Sequence, residues 1–221
     1  MRRLLFALAL PAVVLVTLAA GCGTSEPLPP AGPTVGTAAP SAADTVVFAG
    51  GCFWCMEKPF EELDGVYAVT SGFAGGTVPN PTYDQVTTKT TGHYESVEVV
   101  FDPSVVPYDT LLQVYWHNVD PLDDGGQFCD RGSPYRPAIF AGTPEERAAA
   151  ETTKAALAER FGETIRVPVL DDAPFYAAED YHQDFYRTNA AHYQRYRMGC
   201  RRDARLEQLW GDAAGHLGPA L

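Results

Sequence analysis

Two closely spaced cysteines have the spacing of a redox-active pair. Cys52 and Cys55 form a C-x-x-C motif, which is typical of sites that exchange a dithiol for a disulfide. The residues between them, Phe53 and Trp54, are far bulkier than a simple disulfide requires. We therefore expect the segment to combine a reactive sulfur with an aromatic pocket.

The flanking pattern predicts that Cys52 lies at the start of a helix. Residues 45–49 form a short apolar run typical of a buried strand, and Gly50-Gly51 provides a turn. Residues 53–63 then carry apolar side chains at helical spacing. Unpaired N–H groups and the helix dipole favour a thiolate at such a position, so Cys52 is predicted to be a nucleophile of low pKa.

The other cysteines allow a second interpretation. The chain has five cysteines, of which Cys22 lies in an amino-terminal segment described below. The remaining four, Cys52, Cys55, Cys129 and Cys200, are an even number, which in an exported protein permits two structural disulfides. A disulfide-stapled surface protein without enzymatic activity is therefore one alternative.

The elements that must position these residues alternate between strand and helix. Thr143 and Glu146 have the spacing of a capping box, which predicts a helix start. The order strand, helix, strand, strand, helix, strand predicts an α+β two-layer sandwich with a split β-α-β-β-α-β (ferredoxin-like) core and a C-terminal extension. Beyond the first strand and helix, the predicted elements are strands at 66–73 and 95–101, a helix at 107–118, a strand at 135–141, a helix at 144–161, a strand at 165–170, and an aromatic, polar tail from Phe175.

Seven short motifs follow one another along the chain. They are Gly51-Cys52-Phe53-Trp54 followed by Glu57, Ser71-Gly72-Phe73-Ala74-Gly75-Gly76, Asn80-Pro81-Thr82-Tyr83, Thr91-Gly92-His93-Tyr94-Glu95, Gly126-Gln127-Phe128-Cys129-Asp130-Arg131-Gly132-Ser133-Pro134-Tyr135-Arg136, Ala178-Glu179-Asp180-Tyr181-His182-Gln183 and Cys200-Arg201-Arg202-Asp203. In this order the motifs resemble those of the peptide-methionine (S)-S-oxide reductase (MsrA) family, and the resemblance covers roughly residues 44–211.

The resemblance implies an enzyme that reduces the S epimer of methionine sulfoxide, free or in proteins. It implies that Cys52 attacks the sulfoxide sulfur and that Glu95 is the acid. The residues implied to bind substrate are Phe53 and Trp54, around the S-methyl group, and Tyr83, Asp130 and Tyr135, around the oxygen.

The reaction needs an acid for a physical reason. A sulfoxide oxygen leaves poorly unless it is protonated, so attack by a thiol requires a neutral acid within hydrogen-bonding reach. Burial among aromatic side chains would keep Glu95 protonated near neutral pH. The alternative is an exposed acid at the start of a strand.

A second thiol must trap the sulfenic acid that Cys52 would form. The resemblance implies Cys200, because common family members use a cysteine near the C-terminus and have glycine where this chain has Cys55. Gly199 and the flanking arginines suggest a mobile tail there. Cys55 is the alternative because it can close a C-x-x-C bridge without movement of the tail, and Cys129 could relay or simply pack. No bound cofactor is expected, but a thioredoxin-like protein or another external thiol must reduce the final disulfide.

The amino terminus has the layout of a secretory signal. Arg2 and Arg3 precede an apolar run from Leu4 to Leu18, and Ala-Gly precedes Cys22. Cys22 therefore resembles a lipidated cysteine, although Ala19 stands where leucine is usual. We expect a signal at 1–22, a Pro/Gly-rich disordered linker at 23–43 and a reductase domain at 44–221, exported and held by a lipid anchor at the periplasmic or cell-surface side of a membrane.

Composition excludes some classes of function. The 221 residues carry a net charge of −12, which disfavours nucleic-acid binding. His93, His117, His182 and His192 are not spaced as a metal-ligand pair, so no metal site is expected. Besides the reductase and the stapled lipoprotein, a thiol-disulfide oxidoreductase that uses Cys52 and Cys55 on other substrates remains an alternative.

Overall fold

The computed structural model of the protein describes residues 42–218. The predicted signal, Cys22 and all but the last two residues of the predicted linker lie outside this range. Within it, no helix is long and apolar enough to cross a membrane.

The strands are β1 (Asp44–Gly50), β2 (Val66–Ala74), β3 (Tyr94–Phe101), β4 (Gly126–Gln127), β5 (Asp130–Arg131), β6 (Pro137–Ala141), β7 (Val169–Asp171) and β8 (Tyr176–Ala177). The helices are α1 (Trp54–Glu61), α2 (Tyr83–Thr87), α3 (Tyr108–His117), α4 (Pro144–Phe161), α5 (Phe185–Thr188), α6 (Ala190–Gly199) and α7 (Arg202–Trp210).

A mixed sheet forms the centre of the described part of the chain. Its strand order is β7-β6-β1-β3-β2-β8, and β4 and β5 form a separate hairpin. Strand β1 is antiparallel to both β3 and β6, whereas β6 and β7 are parallel. With its sheet and helices, the chain is of the predicted α+β class.

Strand β1 is buried on both faces, which is why its sequence is a continuous apolar run. On one face Phe48 stacks on Phe60 of α1 at 5.3 Å and on Tyr115 of α3 at 5.1 Å between ring centroids. On the other face Ala49 belongs to a smaller cluster with Phe140. Packing on both sides holds the carboxyl end of β1 rigidly, and that end leads directly to Cys52.

The longest helix begins and ends where the sequence predicts. Thr143 caps α4 by accepting a hydrogen bond from the N–H of Glu146, whose side chain in turn accepts from the N–H of Thr143. After Phe161, Gly162 adopts a left-handed conformation with φ of 66°, as is common at helix C-termini. This capping box is confirmed.

Two predicted strand boundaries are wrong, in each case because of proline. The strand predicted at 165–170 is only Val169–Asp171, since Pro168 has no N–H to contribute to a strand ladder. The strand predicted from Tyr135 begins at Pro137, because Ser133–Tyr135 form a short 3-10 helix that contains Pro134.

The predicted aromatic tail is more regular than the sequence indicates. It forms strand β8 and helices α5 to α7. Cys200 follows the end of α6 directly, and Arg202 begins α7. The flanking arginines are not both at the surface, since Arg202 is 2% exposed, so they do not mark the free segment that we expected there.

Candidate active site

A tight turn delivers Cys52 from the sheet to the site. β1 ends at Gly50 and α1 begins at Trp54. Gly51 has φ of +85°, and a Cβ at this position would lie 2.5 Å from Cβ of Gln127. Only glycine fits such a turn, which explains why the turn residue next to Cys52 has no side chain.

The predicted site residues surround one small cavity. Its volume is about 60 Å³. The structure brings together every residue predicted to be catalytic or substrate-binding and adds Tyr196. The lining residues are Cys52, Phe53, Trp54, Tyr83, Glu95, Asp130, Tyr135 and Tyr196.

Glu95 is a buried carboxyl. It is 1% exposed, so it is not the exposed strand-end acid of the alternative hypothesis. Its Oε2 accepts a hydrogen bond from the N–H of Phe53 at 3.1 Å. Burial raises the pKa of Glu95 to about 8 in spite of that hydrogen bond. At neutral pH the side chain is therefore mostly a neutral acid next to the cysteine turn.

Cys52 and Cys55 are both buried and both free thiols. Burial raises the pKa of Cys52 well above its ordinary value, and hydrogen bonding to Cys55 and the charge of Glu95 add to this. The hydrogen bond with Cys52 lowers the pKa of Cys55 to about 6. The prediction of a low pKa on Cys52 is therefore wrong for the resting site: Cys52 precedes the first residue of α1 by two positions, and its desolvation outweighs the helix dipole.

Trp54 is held from two sides. Its ring stacks on Phe185 at 3.7 Å with an interplanar angle of 6°. Its Nε1–H donates to Nδ1 of His182 at 3.1 Å. Burial lowers the pKa of His182, so its imidazole remains neutral and can accept. Sequence reasoning treated His182 only as a rejected metal ligand and missed this role, although the residue lies within a quoted motif.

Two tyrosines supply phenols to the cavity. Tyr83 begins the short helix α2, and its N–H donates to Oε1 of Glu179 at 3.0 Å. Burial raises the pKa of Tyr83 to about 12 and raises that of Tyr135 as well. Both phenols therefore stay protonated and can donate hydrogen bonds.

Asp130 and Tyr196 form the opposite side of the cavity. Asp130 begins β5, and its Oδ2 accepts a hydrogen bond from the phenol of Tyr196. Burial raises the pKa of Asp130. Tyr196 belongs to the aromatic tail and was not among the residues predicted to line the site. Its spacing of one helical turn before Cys200 was the signal that could have identified it.

Cys200 is bonded to Cys129. The disulfide joins residues 71 positions apart, with a Cα–Cα distance of 4.8 Å. Cys129 lies in the turn between β4 and β5, beside Asp130. Among residues 42–218, the one close group of metal-ligating side chains is Cys129, Asp130 and Cys200, and both of its sulfurs are in this bond.

The arrangement suits transfer of an oxygen atom to sulfur. A neutral carboxyl can protonate a departing oxygen, and the phenols can orient that oxygen. A pair of thiols can take the oxygen and then close a disulfide. The aromatic walls are suited to a polarizable sulfur with a small alkyl group.

Comparison with known proteins gives one consistent family. A family model described as "Peptide methionine sulfoxide reductase" matches residues 44–214. The chain is 50% identical over 171 residues to the peptide methionine sulfoxide reductase MsrA of Bacillus pumilus. The aligned residues cover 76% of this chain and 96% of that protein. The chain is also 50% identical over 182 residues to MsrA 2 of Caulobacter vibrioides, with coverages of 80% and 92%. The solved structure of methionine sulfoxide reductase A from Corynebacterium diphtheriae is similar, with a TM-score of 0.62 and 34% identity over 68% of this chain and 76% of that one.

Proposed function

The chain belongs to the peptide methionine sulfoxide reductase family, and on that premise we propose that Cys52 attacks the sulfur of methionine sulfoxide while Glu95 protonates the oxygen. The enzyme reduces methionine sulfoxide to methionine. The observation that carries the assignment of roles is the buried, hydrogen-bonded carboxyl of Glu95 on the wall of the cavity that contains Cys52. Simple disulfide exchange does not need such an acid.

The substrate fits the cavity by its chemistry. Phe53 and Trp54 contact the S-methyl group, because aromatic faces interact favourably with methionine sulfur. The phenols of Tyr83 and Tyr135 donate to the sulfoxide oxygen, with Asp130 beside them. We take the S epimer as the substrate, either free or within an oxidised protein.

The reaction balances without a bound cofactor. A new bond forms between Cys52 sulfur and the sulfoxide sulfur, and the proton of Cys52 passes to Cys55, whose thiolate is favoured in the resting pair. Glu95 gives its proton to the oxygen. Breakdown of the adduct transfers the hydroxyl to Cys52, releases methionine and leaves Cys52 as a sulfenic acid. A second thiol then attacks this sulfur, forms a disulfide and expels water.

The cysteine pairing supports a proposal for the second thiol. Cys200 was the predicted partner and Cys55 the alternative. We favour Cys55 for the first disulfide, because it is a free thiol one helical turn from Cys52, with its N–H donating to the Cys52 carbonyl at 3.0 Å, whereas Cys200 is bonded to Cys129. Cys200 becomes available only after the Cys129–Cys200 bond is reduced.

The cycle ends with an external reductant. Restoring two thiols requires two electrons, and a thioredoxin-like dithiol protein supplies them by attack on an enzyme disulfide. The Cys129–Cys200 bond includes an exposed sulfur-bearing residue, Cys129, whereas Cys52 and Cys55 are buried. We therefore place the first contact with the reductant at the Cys129–Cys200 disulfide. The two thiols released there reduce the Cys52–Cys55 disulfide by thiol-disulfide exchange, which forms the Cys129–Cys200 bond again and leaves Cys52 and Cys55 as thiols.

The reaction is tested with separated epimers of a methionine sulfoxide peptide and dithiothreitol as reductant. The expected result is methionine from the S epimer only. Absence of methionine from both epimers would contradict the proposed activity. Peptide mapping after one turnover without reductant then assigns the second thiol: a Cys52–Cys55 bond supports Cys55, and a Cys52–Cys200 bond supports the predicted Cys200.

Two further proposals rest on the sequence and topology. The order β6-β1-β3-β2, all antiparallel, favours the split β-α-β-β-α-β (ferredoxin-like) description of the core. The run from Arg2 to Cys22 favours export and lipid anchoring. Labelling of expressing cells with a fatty-acid analogue tests the anchor: Cys22→Ala should lose the label, and retention of the label would exclude lipidation at Cys22.

A further inference from the structure

The guanidinium of Arg202 lies buried beneath the turn that carries Cys52. Its terminal nitrogens donate to the carbonyl of Gly50 at 3.3 and 3.4 Å and to that of Asn118 at 2.6 Å. They also approach Sδ of Met56 at 3.2 Å, and its central carbon is 4.4 Å from the ring centroid of Phe128. Every one of these partners is uncharged.

A buried cation with only neutral partners is costly. Burial of a charge is normally compensated by an opposite charge. Among residues 42–218, no carboxylate lies within 4.0 Å of the Arg202 nitrogens, whereas Arg205 on the same helix contacts Asp120 at 2.7 Å. The Nε of Arg202 is also buried without a hydrogen-bond partner. Within the described part of the chain the positive charge of Arg202 therefore has no ionic partner, and it is available to an anion formed nearby.

The thiol pair can form that anion. Gly50 and Met56, which both contact the guanidinium, stand on either side of the C-x-x-C segment in the sequence. The pKa of Cys55 is lowered first by its hydrogen bond with Cys52 and, among charged groups, most by Arg202. Arg202 thus contacts the residues on both sides of the C-x-x-C segment, and its charge acts on the thiol of Cys55.

We propose that Arg202 is a positioning residue whose buried charge is the counterion of the thiolate formed on Cys52 and Cys55. It acts through the Gly50 carbonyl and the local field, without contact to substrate. Nothing in the sequence distinguishes Arg202 from Arg201 beside it, and only the fold buries one of them. The inference deepens the proposed function and rests on its use of these thiols, but it is tested without sulfoxide.

Other charged groups also face the thiols. Glu95 and Asp130 disfavour a thiolate, and the phenol of Tyr196 favours one on Cys52. Arg197 on α6 also favours a thiolate, but it is paired with Asp203 at 2.6 Å. Of the residues that the structure describes, Arg202 is therefore the buried cation near the thiols that has no carboxylate partner.

The test is the pH dependence of iodoacetamide alkylation at Cys52 and Cys55, read separately for each peptide by mass spectrometry. Arg202→Gln removes the charge and keeps a polar side chain, while Arg202→Lys keeps the charge. Arg205→Gln is the matched control, because Arg205 is on the same helix and is already paired with a carboxylate.

The expected result is that Arg202→Gln raises the alkylation midpoint of Cys55 by about one pH unit. From a pKa of about 6, this lowers the thiolate fraction at pH 7 from about 0.9 to about 0.5 and slows alkylation about twofold. Arg202→Lys and Arg205→Gln should keep a midpoint close to that of the unsubstituted protein. A midpoint in Arg202→Gln equal to that of the unsubstituted protein would overturn the proposal. So would an equal shift in Arg202→Lys, because the effect would then not follow the charge.

A second measurement does not depend on the folding of a variant. In the unsubstituted reduced protein, the Nε–Hε signal of Arg202 in 15N NMR should shift with the same pH midpoint as alkylation. The shift should disappear in Cys52→Ser/Cys55→Ser. If the Arg202 signal does not shift as the thiols titrate, the proposal is overturned. Methionine release by the same preparation would still support the enzymatic function.

Discussion

The N–H of Phe53 donates a hydrogen bond to Oε2 of Glu95 at 3.1 Å, although 42 residues separate the two in sequence. The residue that follows the proposed nucleophile therefore holds the proposed acid. This contact ties the start of α1 to the start of β3 and keeps the carboxyl beside the sulfur that it serves. It also stabilises the charged form of Glu95, but burial outweighs this effect and raises the pKa to about 8.

Glu95→Gln should lower the rate of methionine release in a single turnover by at least about 100-fold, because general acid catalysis typically contributes 10²–10⁴. Glutamine keeps the size and can still accept from Phe53, but it has no acidic proton. Glu98→Gln is the matched control, since Glu98 is on the same strand and outside the cavity. Release by Glu95→Gln at the unsubstituted rate would exclude Glu95 as the acid.

The same buried acid should lower stability as pH rises. The pKa of Glu95 is about 8 in the folded protein and has an ordinary value of 4.5. Protonation of this carboxyl therefore stabilises the folded state, and the stabilisation is fully present below pH 4.5. This contribution is lost as pH rises toward the folded pKa. Relative to Glu95→Gln, the free energy of unfolding should fall by on the order of 4 kcal/mol between pH 4.5 and 8.

Urea denaturation at a series of pH values measures this difference. Because other groups titrate in both proteins, the difference between their unfolding free energies isolates Glu95. A difference that does not change with pH would mean that the carboxyl is not desolvated.

His182→Leu should raise KM for a methionine sulfoxide peptide by about five- to tenfold, because the loss of one hydrogen bond costs about 1 kcal/mol. The indole N–H of Trp54 would lose its acceptor, and the ring would no longer be fixed against the methyl group. His182→Asn, which retains an acceptor, should have a smaller effect.

His192→Leu is the control for this prediction. His192 lies edge-on to the Trp54 ring, at 5.9 Å between centroids, and its Nε2 and Nδ1 form no hydrogen bond with the indole N–H, which donates to His182. Equal KM values for His182→Leu and His192→Leu would show that the hydrogen bond does not position Trp54.

Cys129→Ser should lower the free energy of unfolding of the oxidised protein by about 4 kcal/mol, as expected for the loss of a cross-link between residues 71 positions apart. Treatment of the unsubstituted protein with a phosphine reductant should have the same effect. Thermal denaturation compares the two proteins with and without the reductant. If the oxidised, unsubstituted protein unfolds at the same temperature as Cys129→Ser, the bond is not formed in solution.

The parts of the fold that follow from local patterns could be predicted. Thr143 and Glu146 are three residues apart, so their capping box is visible in the sequence. The strand and turn before Cys52 depend on an apolar run and two glycines. The predicted strand at 135–141 includes Tyr135, whereas in the structure Tyr135 ends a short 3-10 helix that contains Pro134.

The parts that depend on distant contacts could not be predicted in the same way. The Cys129–Cys200 bond and the Tyr196–Asp130 hydrogen bond both join the hairpin of β4 and β5 to α6. No spacing rule connects such segments. The burial of Arg202 likewise depends on Gly50 and Met56, which flank the C-x-x-C segment, and on Asn118, which is more than 60 residues further along the chain.

The central claim is that Cys52 takes the oxygen from the sulfoxide. It is tested most directly in Cys55→Ser/Cys200→Ser, which lacks both candidate partner thiols, by one turnover with S-methionine sulfoxide in the presence of dimedone. The account predicts release of methionine and a dimedone adduct on Cys52 located by peptide mass spectrometry. Methionine release without an adduct on Cys52, or undiminished release after Cys52→Ser is added, would contradict it.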